Sequence, residues 1–377
     1  MNFKVMSGLK TIVISAVNLR KGGTLTILRD CLQSLSELVL SSREYRVVAL
    51  VHKRELCDYP GIEYIEMPDI IKGWSRRLWC EYVTMNRISK ELAPVYLWLS
   101  LHDTSPRVKA EKQAVYCHNS FPFYRWNFRD FKMDYKIPLF AMFTKYAYKV
   151  NVRSNKYLIV QQNWLREGLS KMFRLEKEKF IVAPPQRKRV DVIPENISKD
   201  TFTFFYASTP DCHKNFETLC MASELLQEEI GSDKFKVVLT LSGEENKYSR
   251  WLKQTWGHVS SIDFAGFMSK ERLFGYYKSA DCFVFPSKVE TWGLPITEFM
   301  EASGNKAMLL SDLPYAHETA AGASRVGFFN PSDPVELKDK MKKMVEGEIS
   351  ELECVPNQNI ENPKAYSWKE LWEMLLR

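Results

Sequence analysis

Short apolar, β-prone runs alternate along the chain with longer stretches of helical spacing. Thr11–Val17, Val47–His52, Val95–Ser100, Gln113–His118 and Tyr157–Gln161 read as buried strands. Between the first two, Leu25, Leu28, Leu32, Leu35 and Leu38 fall on one helical face, and Arg76–Leu92 has the same periodicity. Ala183-Pro184-Pro185 stops the pattern, and a polar, basic stretch through Arg187-Lys188-Arg189 to Asp200 reads as a linker. A second alternation follows, with strands expected at Thr201–Ala207, Lys236–Leu241, Ile262–Phe264, Asp281–Phe285 and Ala307–Leu310. Trp368–Leu376 reads as a terminal amphipathic helix. Strands alternating with helices predict parallel sheets covered on both faces. The expected organisation is an α/β pair of domains, residues 1–185 and 186–360. Residues 361–377 form a helix free to pack back toward the first domain.

In such sheets ligands gather at the carboxyl ends of strands, where helix N-termini present unpaired N–H groups and a positive dipole. Phe285-Pro286-Ser287-Lys288-Val289-Glu290-Thr291-Trp292-Gly293-Leu294-Pro295-Ile296-Thr297-Glu298 reads as strand end, loop and helix start. Pro295 suits a first helical turn, and Gly293 stands where the backbone turns sharply or something comes close. Glu290 and Glu298 bracket that turn as acceptors suited to sugar hydroxyls; alternatively they are a solvated loop acid and a dipole-favoured helix acid. Gly22 and Gly23 lie between the first strand and first helix, either at a phosphate loop or in a tight turn. They do not make a G-x-G-x-x-G fingerprint. His118 ends a strand, as a ligand-facing or a structural histidine. Lys214, in His213-Lys214-Asn215 before a helix, is a natural phosphate partner or a solvated charge.

The composition is globular, with 45% hydrophobic and 26% charged residues. The net charge of +7 is unevenly distributed. Residues 1–190 carry 33 Lys+Arg against 17 Asp+Glu, while the remainder carries 20 against 29. A basic first half suits an anionic partner, such as a bilayer surface, or is simply solubility charge. Aromatic and basic residues interleave in Phe121–Phe131 (Tyr124, Arg125, Trp126, Arg129) and around Trp74, Arg76, Arg77 and Trp79. These suit a membrane interface, a sugar platform or an ordinary core edge. No recognised nucleic-acid module is present, so no nucleic-acid partner is expected. The eight cysteines are scattered without a C-x-x-C pair, which fits reduced, buried thiols in the cytosol. No run approaches a membrane span, and Thr11–Val17 reads as a strand, not a signal peptide. There is no D-x-D pair, P-loop or G-x-S-x-G elbow. No cofactor or metal site is expected.

Together these residues resemble the retaining glycosyltransferases of family 4, in particular bacterial O-antigen and capsule members. Glu290 and Glu298 match that family's E-x7-E motif, with Pro286-Ser287 before it and Trp292-Gly293-Leu294-Pro295 within it. His213-Lys214-Asn215-Phe216, the Gly22-Gly23 loop and His118 match further family positions, as do Val160–Leu165 and Ser311–Pro314. The resemblance implies the GT-B fold, two Rossmann-like domains facing across a cleft. The first would hold the acceptor and the second a nucleotide sugar, GDP- or UDP-linked.

It further implies that Glu298 binds the ribose, and that Gly293 and Leu294 amides with Lys214 hold the diphosphate. Glu290 would grip the donor sugar, and His118 would reach it from the other domain. Gly22 and Gly23 would admit the phosphates, and the base would pack near Gly266-Phe267-Met268. The implied acceptor is a saccharide or a polyprenyl-diphosphate-linked saccharide, at the cytoplasmic face of an anionic membrane. The family's Arg ahead of the phosphate-binding Lys is missing, since this chain reads Ala207-Ser208-Thr209-Pro210 there. That departure keeps open an inactive nucleotide-sugar-binding scaffold. A same-fold epimerase is the other alternative; a phosphorylase would need a pyridoxal-phosphate lysine that has no evident place.

Overall fold

The computed structural model describes residues 8–186, 193–197 and 200–377. The expected linker residues Arg187, Lys188 and Arg189 lie outside them. The chain divides into two compact units. Unit 1 comprises residues 1–119, 144–186 and 360–377, and unit 2 comprises 120–143 and 187–359.

Unit 1 holds a seven-stranded, all-parallel sheet in the order β3-β2-β1-β4-β5-β6-β7. The strands are β1 Lys10–Ala16, β2 Tyr45–Val51, β3 Ile62–Glu66, β4 Val95–Ser100, β5 Lys112–Tyr116, β6 Tyr157–Val160 and β7 Phe180–Val182. Near-continuous burial along β1, β2 and β4 explains why those runs read as strands: helices cover both of their faces. One core layer joins Ile12, Ile14, Leu28, Leu32 and Leu99 to Leu371, Trp372 and Leu375 of the Trp368–Leu376 helix. The other gathers Val13, Val48, Trp98, Met85 and Ile88.

The Arg76–Leu92 periodicity is realised as two α-helical segments, Trp74–Trp79 and Met85–Glu91, joined by a π-helical turn at Cys80–Thr84. The widened turn presents buried Glu81 to Arg77 Nε at 2.9 Å.

Unit 2 holds a six-stranded parallel sheet in the order β10-β9-β8-β11-β12-β13. Its strands are β8 Phe202–Tyr206, β9 Phe235–Leu239, β10 Ile262–Phe264, β11 Cys282–Phe285, β12 Ala307–Ser311 and β13 Val326–Phe329. Each sheet therefore changes direction of strand order once, between β1 and β4 in unit 1 and between β8 and β11 in unit 2. The crevice beside such a switch point is where doubly wound sheets take ligands. Seven cysteines are buried and Cys354 is exposed, all as free thiols. Among the described residues, no helix is long and apolar enough to cross a membrane.

Candidate functional site

In unit 2 the loops after β8 and β11 meet at the switch point. The first carries a 3-10 turn, Cys212–Lys214, followed by Asn215 in a left-handed conformation and the helix Phe216–Ile230. The second runs from Pro286 to Gly293 and opens the helix Leu294–Ser303. Buried Asn215 ties these loops together. Its side-chain amide donates to Pro286 O at 2.9 Å and to Pro331 O, beyond β13, at 2.7 Å. Tyr206 Oη donates to Lys214 O, and Tyr315 Oη to Ser287 O, both at 2.7 Å. Burial, and next the charge of Glu290, push both phenols well above their usual range, so both remain neutral donors.

Within this frame Lys214 Nζ lies 2.6 Å from Glu290 Oε1, and Ser287 Oγ donates to the same oxygen at 2.7 Å. Both side chains of the ion pair are mostly shielded, at 16% and 13% exposure. Water therefore screens the pair less than a surface bridge. No bond to Glu290 Oε2 is found among the described residues, so that oxygen remains able to accept from a ligand hydroxyl.

Gly293 precedes the first turn of the Leu294–Ser303 helix with φ 86° and ψ 54°, a left-handed conformation open to glycine. A β-carbon there would stand 3.3 Å from Ile296 Cδ1 and 3.6 Å from Tyr315. Ile296 N–H donates back to Gly293 O, and Pro295 has no N–H. Leu294 heads this helix with an N–H that Pro295 lacks, and it is itself exposed. Glu298, on the next turn, accepts from Tyr277 Oη at 3.5 Å. Burial raises its carboxyl above the usual range, while nearby Lys270 opposes the rise. After β10, Gly266 turns the chain with φ 74°, leaving Phe267 90% exposed and Met268 buried.

In unit 1, Gly22 and Gly23 begin the helix Gly22–Ser42 and are both exposed. Gly22 has φ 63°, and a β-carbon on it would meet nothing within 4 Å, so backbone conformation rather than space calls for glycine there. His118 follows β5. Its Nε2 bonds to Leu101 O at 2.8 Å, its backbone N–H donates to Asp103 Oδ1 at 2.5 Å, and its ring stacks on Tyr116. Burial lowers the imidazole below its ordinary value, with Asp103 opposing, so it is neutral at pH 7.

The structure thus joins Lys214 to Glu290 and sets Gly293, Leu294 and Glu298 on one helix start. It places Gly22, Gly23 and His118 at strand ends of the other unit. Sequence reasoning gave no role to Ser287, Asn215, Tyr277 or Asp103. The first two stand inside the Pro-Ser and His-Lys-Asn motifs, which was the signal available. Asp103 carried none, because its role rests on a left-handed φ of 69°. Among the described residues no group of three or more His, Cys, Asp or Glu could hold a metal ion.

Residues 188–361 match the family model for glycosyl transferases group 1. Over 194 residues, 51% of this chain, the sequence is 26% identical to the serotype-specific mannosyltransferase WbdA of Escherichia coli. The match takes in 23% of that relative's own length. Among solved structures, the sucrose-phosphate synthase of Thermosynechococcus elongatus superposes with a TM-score of 0.62 at 14% identity. That superposition covers 97% of this chain and 96% of that one. WaaG, a glycosyltransferase involved in lipopolysaccharide biosynthesis, gives 0.62 at 14% identity over 97% and 94%. At such identities the likeness is one of fold. Residues 188–361 are therefore a glycosyl transferases group 1 domain, in a chain whose two parallel α/β units have the GT-B fold.

Proposed function

We propose that the chain is a retaining glycosyltransferase. In this reading it moves a hexose of the mannose kind from a nucleoside diphosphate to a saccharide or lipid-linked saccharide in cell-surface polysaccharide synthesis. The observation that carries the reading is the Lys214–Glu290 pair, at the carboxyl ends of β8 and β11, with Glu290 in the loop that opens the Leu294–Ser303 helix. Cation, backbone donor and carboxylate are what a sugar diphosphate needs at one corner. The likeness to a mannosyltransferase supports the hexose.

The bond from the sugar's anomeric carbon to the diphosphate breaks, and its electron pair leaves with the phosphate oxygen. Lys214 turns from Glu290 to that oxygen, and the Leu294 amide and helix dipole share the charge as it grows. No metal is asked to take that charge. Glu290, released from its cation, accepts from donor-sugar hydroxyls and offsets positive charge on the oxocarbenium-like ring. The acceptor hydroxyl attacks on the face the diphosphate leaves, passing its proton to the departing phosphate oxygen. This retains the anomeric configuration. Glu298 holds the ribose hydroxyls. The basic first half and the aromatic-basic segment suit a peripheral position on an anionic bilayer at its cytoplasmic face.

The test is donor consumption from GDP-mannose, UDP-glucose and UDP-galactose, with and without saccharide acceptors, for wild type and Glu290→Ala. Transfer with retention, lost in the variant, supports the reading. Binding without turnover points to a scaffold, and donor conversion without acceptor to an epimerase. Sedimentation with anionic vesicles at low salt tests the membrane part separately.

A further inference from the structure

Beside the proposed sugar site lies a second, more deeply buried charge cluster. Asp130 and Glu217 are 1% and 3% exposed. Two carboxylates out of water need cations or donors. Glu217 accepts from Lys288 Nζ at 2.9 Å, from the Arg129 guanidinium and from Tyr248 Oη. Asp130 accepts from Tyr124 Oη at 2.8 Å and from Asn127 N–H at 3.0 Å, and Lys288 Nζ stands 3.9 Å away. Lys288 is thus the cation facing both acids. Its side chain is 14% exposed, too enclosed for an ordinary solvated lysine.

The backbone of Lys288 is fixed as well, its N–H donating to His213 O at 2.8 Å. The neighbouring Ser287 hydroxyl reaches His213 O and Glu290. The five residues 286–290 are therefore held at one end by Asn215, in the middle by the Lys288 ammonium and at the far end by Lys214.

We propose that Lys288 is a positioning residue, which by pairing with Glu217 and Asp130 holds the Ser287–Glu290 segment so that the Glu290 carboxylate meets the donor sugar. This rests on the role given to Glu290 above. In that reading the nucleotide is held by Lys214, Leu294 and Glu298, none of them in the Ser287–Glu290 segment, so a loosened Glu290 impairs turnover and leaves nucleotide affinity in place. That split separates positioning from a general loss of folding.

The experiment uses the full chain and whichever of GDP-mannose, UDP-glucose and UDP-galactose the wild type consumes fastest. Turnover is read as nucleoside diphosphate release, affinity as the Kd of GDP or UDP, and folding by thermal unfolding. Lys288→Met is expected to lower kcat about 10- to 100-fold with Kd unchanged within about twofold. Lys288→Arg is expected to return most of it. In a Glu290→Gln background, Lys288→Met is expected to cost less than about twofold more, because it acts through that carboxylate.

Wild-type kcat in Lys288→Met while Glu290→Gln is inactive overturns the proposal and leaves the transferase reading standing. A full-sized further loss in the Glu290→Gln background overturns it too. Wild-type turnover in Glu290→Gln, or no donor consumed by the wild type, overturns both. Should Lys288→Met fail to fold, Lys288→Gln with Asp130→Asn removes charge from both sides, and the same comparisons apply.

Discussion

Lys214 Nζ and Glu290 Oε1 lie 2.6 Å apart across 76 residues of sequence, joining the first and fourth β–α loops of the second sheet. Each neutralises the other. Lys214→Met is expected to lower kcat about 10²- to 10³-fold, the usual loss when one transition-state electrostatic contact goes. Glu290→Gln should fall in the same range. Because the residues touch, the double variant should lose far less than the product of the single losses, which steady-state kinetics on the four proteins will show.

Gly293→Ala tests the helix start. Left-handed φ costs an alanine about 1–2 kcal/mol, and the new methyl is pressed at 3.3 Å against Ile296. The urea midpoint should fall accordingly. Turnover should fall more steeply than stability, because the Leu294 amide is re-aimed.

Glu298 gives a different signature. Its folded carboxyl lies above the ordinary value. The folded protein therefore binds more protons than the unfolded chain across that window, and stability is lost as pH rises through it. Glu298→Gln removes this loss, so the variant should unfold at the same temperature as wild type or higher at pH 7. Its affinity for GDP or UDP should nevertheless drop about 10- to 100-fold through lost charged hydrogen bonds. Calorimetry on one pair of proteins reads both.

Acid should act in the opposite sense through the histidines. Burial lowers His102 to about 4, and lowers His213 well below 6.5 with help from Lys214 and Lys288. Between the folded values and 6.5 the unfolded chain binds protons that the folded one refuses, so stability falls as pH drops through that range. His102 alone contributes on the order of 3 kcal/mol of this loss. His102→Gln should flatten unfolding free energy against pH between about 6.5 and 4.

Thiol titration offers a simpler check. Seven cysteines are buried, and burial pushes Cys57 to about 11 and Cys80 and Cys212 to about 12. Native protein should expose a single fast-reacting thiol, Cys354, and all eight only after denaturation.

The central strands were legible because both faces are covered, leaving uninterrupted apolar runs such as Val47–Val51. Of the four edge strands only Ile262–Phe264 was. Ile62–Glu66 alternates polar and apolar residues, Phe180–Val182 is three residues long, and Val326–Phe329 contains Gly327. The E-x7-E stretch could be placed at a strand end from the apolar run Asp281–Phe285 before it and from Gly293 and Pro295 within it. That Lys214 would bond Glu290 could not, since side-chain pairing across 76 residues leaves no trace in spacing. The aromatic and basic interleaving of Phe121–Phe131 stood out, but it did not show that residues 120–143 group with the second sheet. In that grouping Asp130 and Arg129 meet Lys288 and Glu217, which lie far off along the chain.

The Asn215 amide has one more consequence. A single side chain stitches three loops into one piece before any ligand arrives, and Thr218 braces it from the following turn. Sugar nucleotides would meet a mould already set, so little chain entropy is left to lose on docking. Replacing that one amide would remove the side chain common to all three loops, with every recognition group still present but less firmly set against the others.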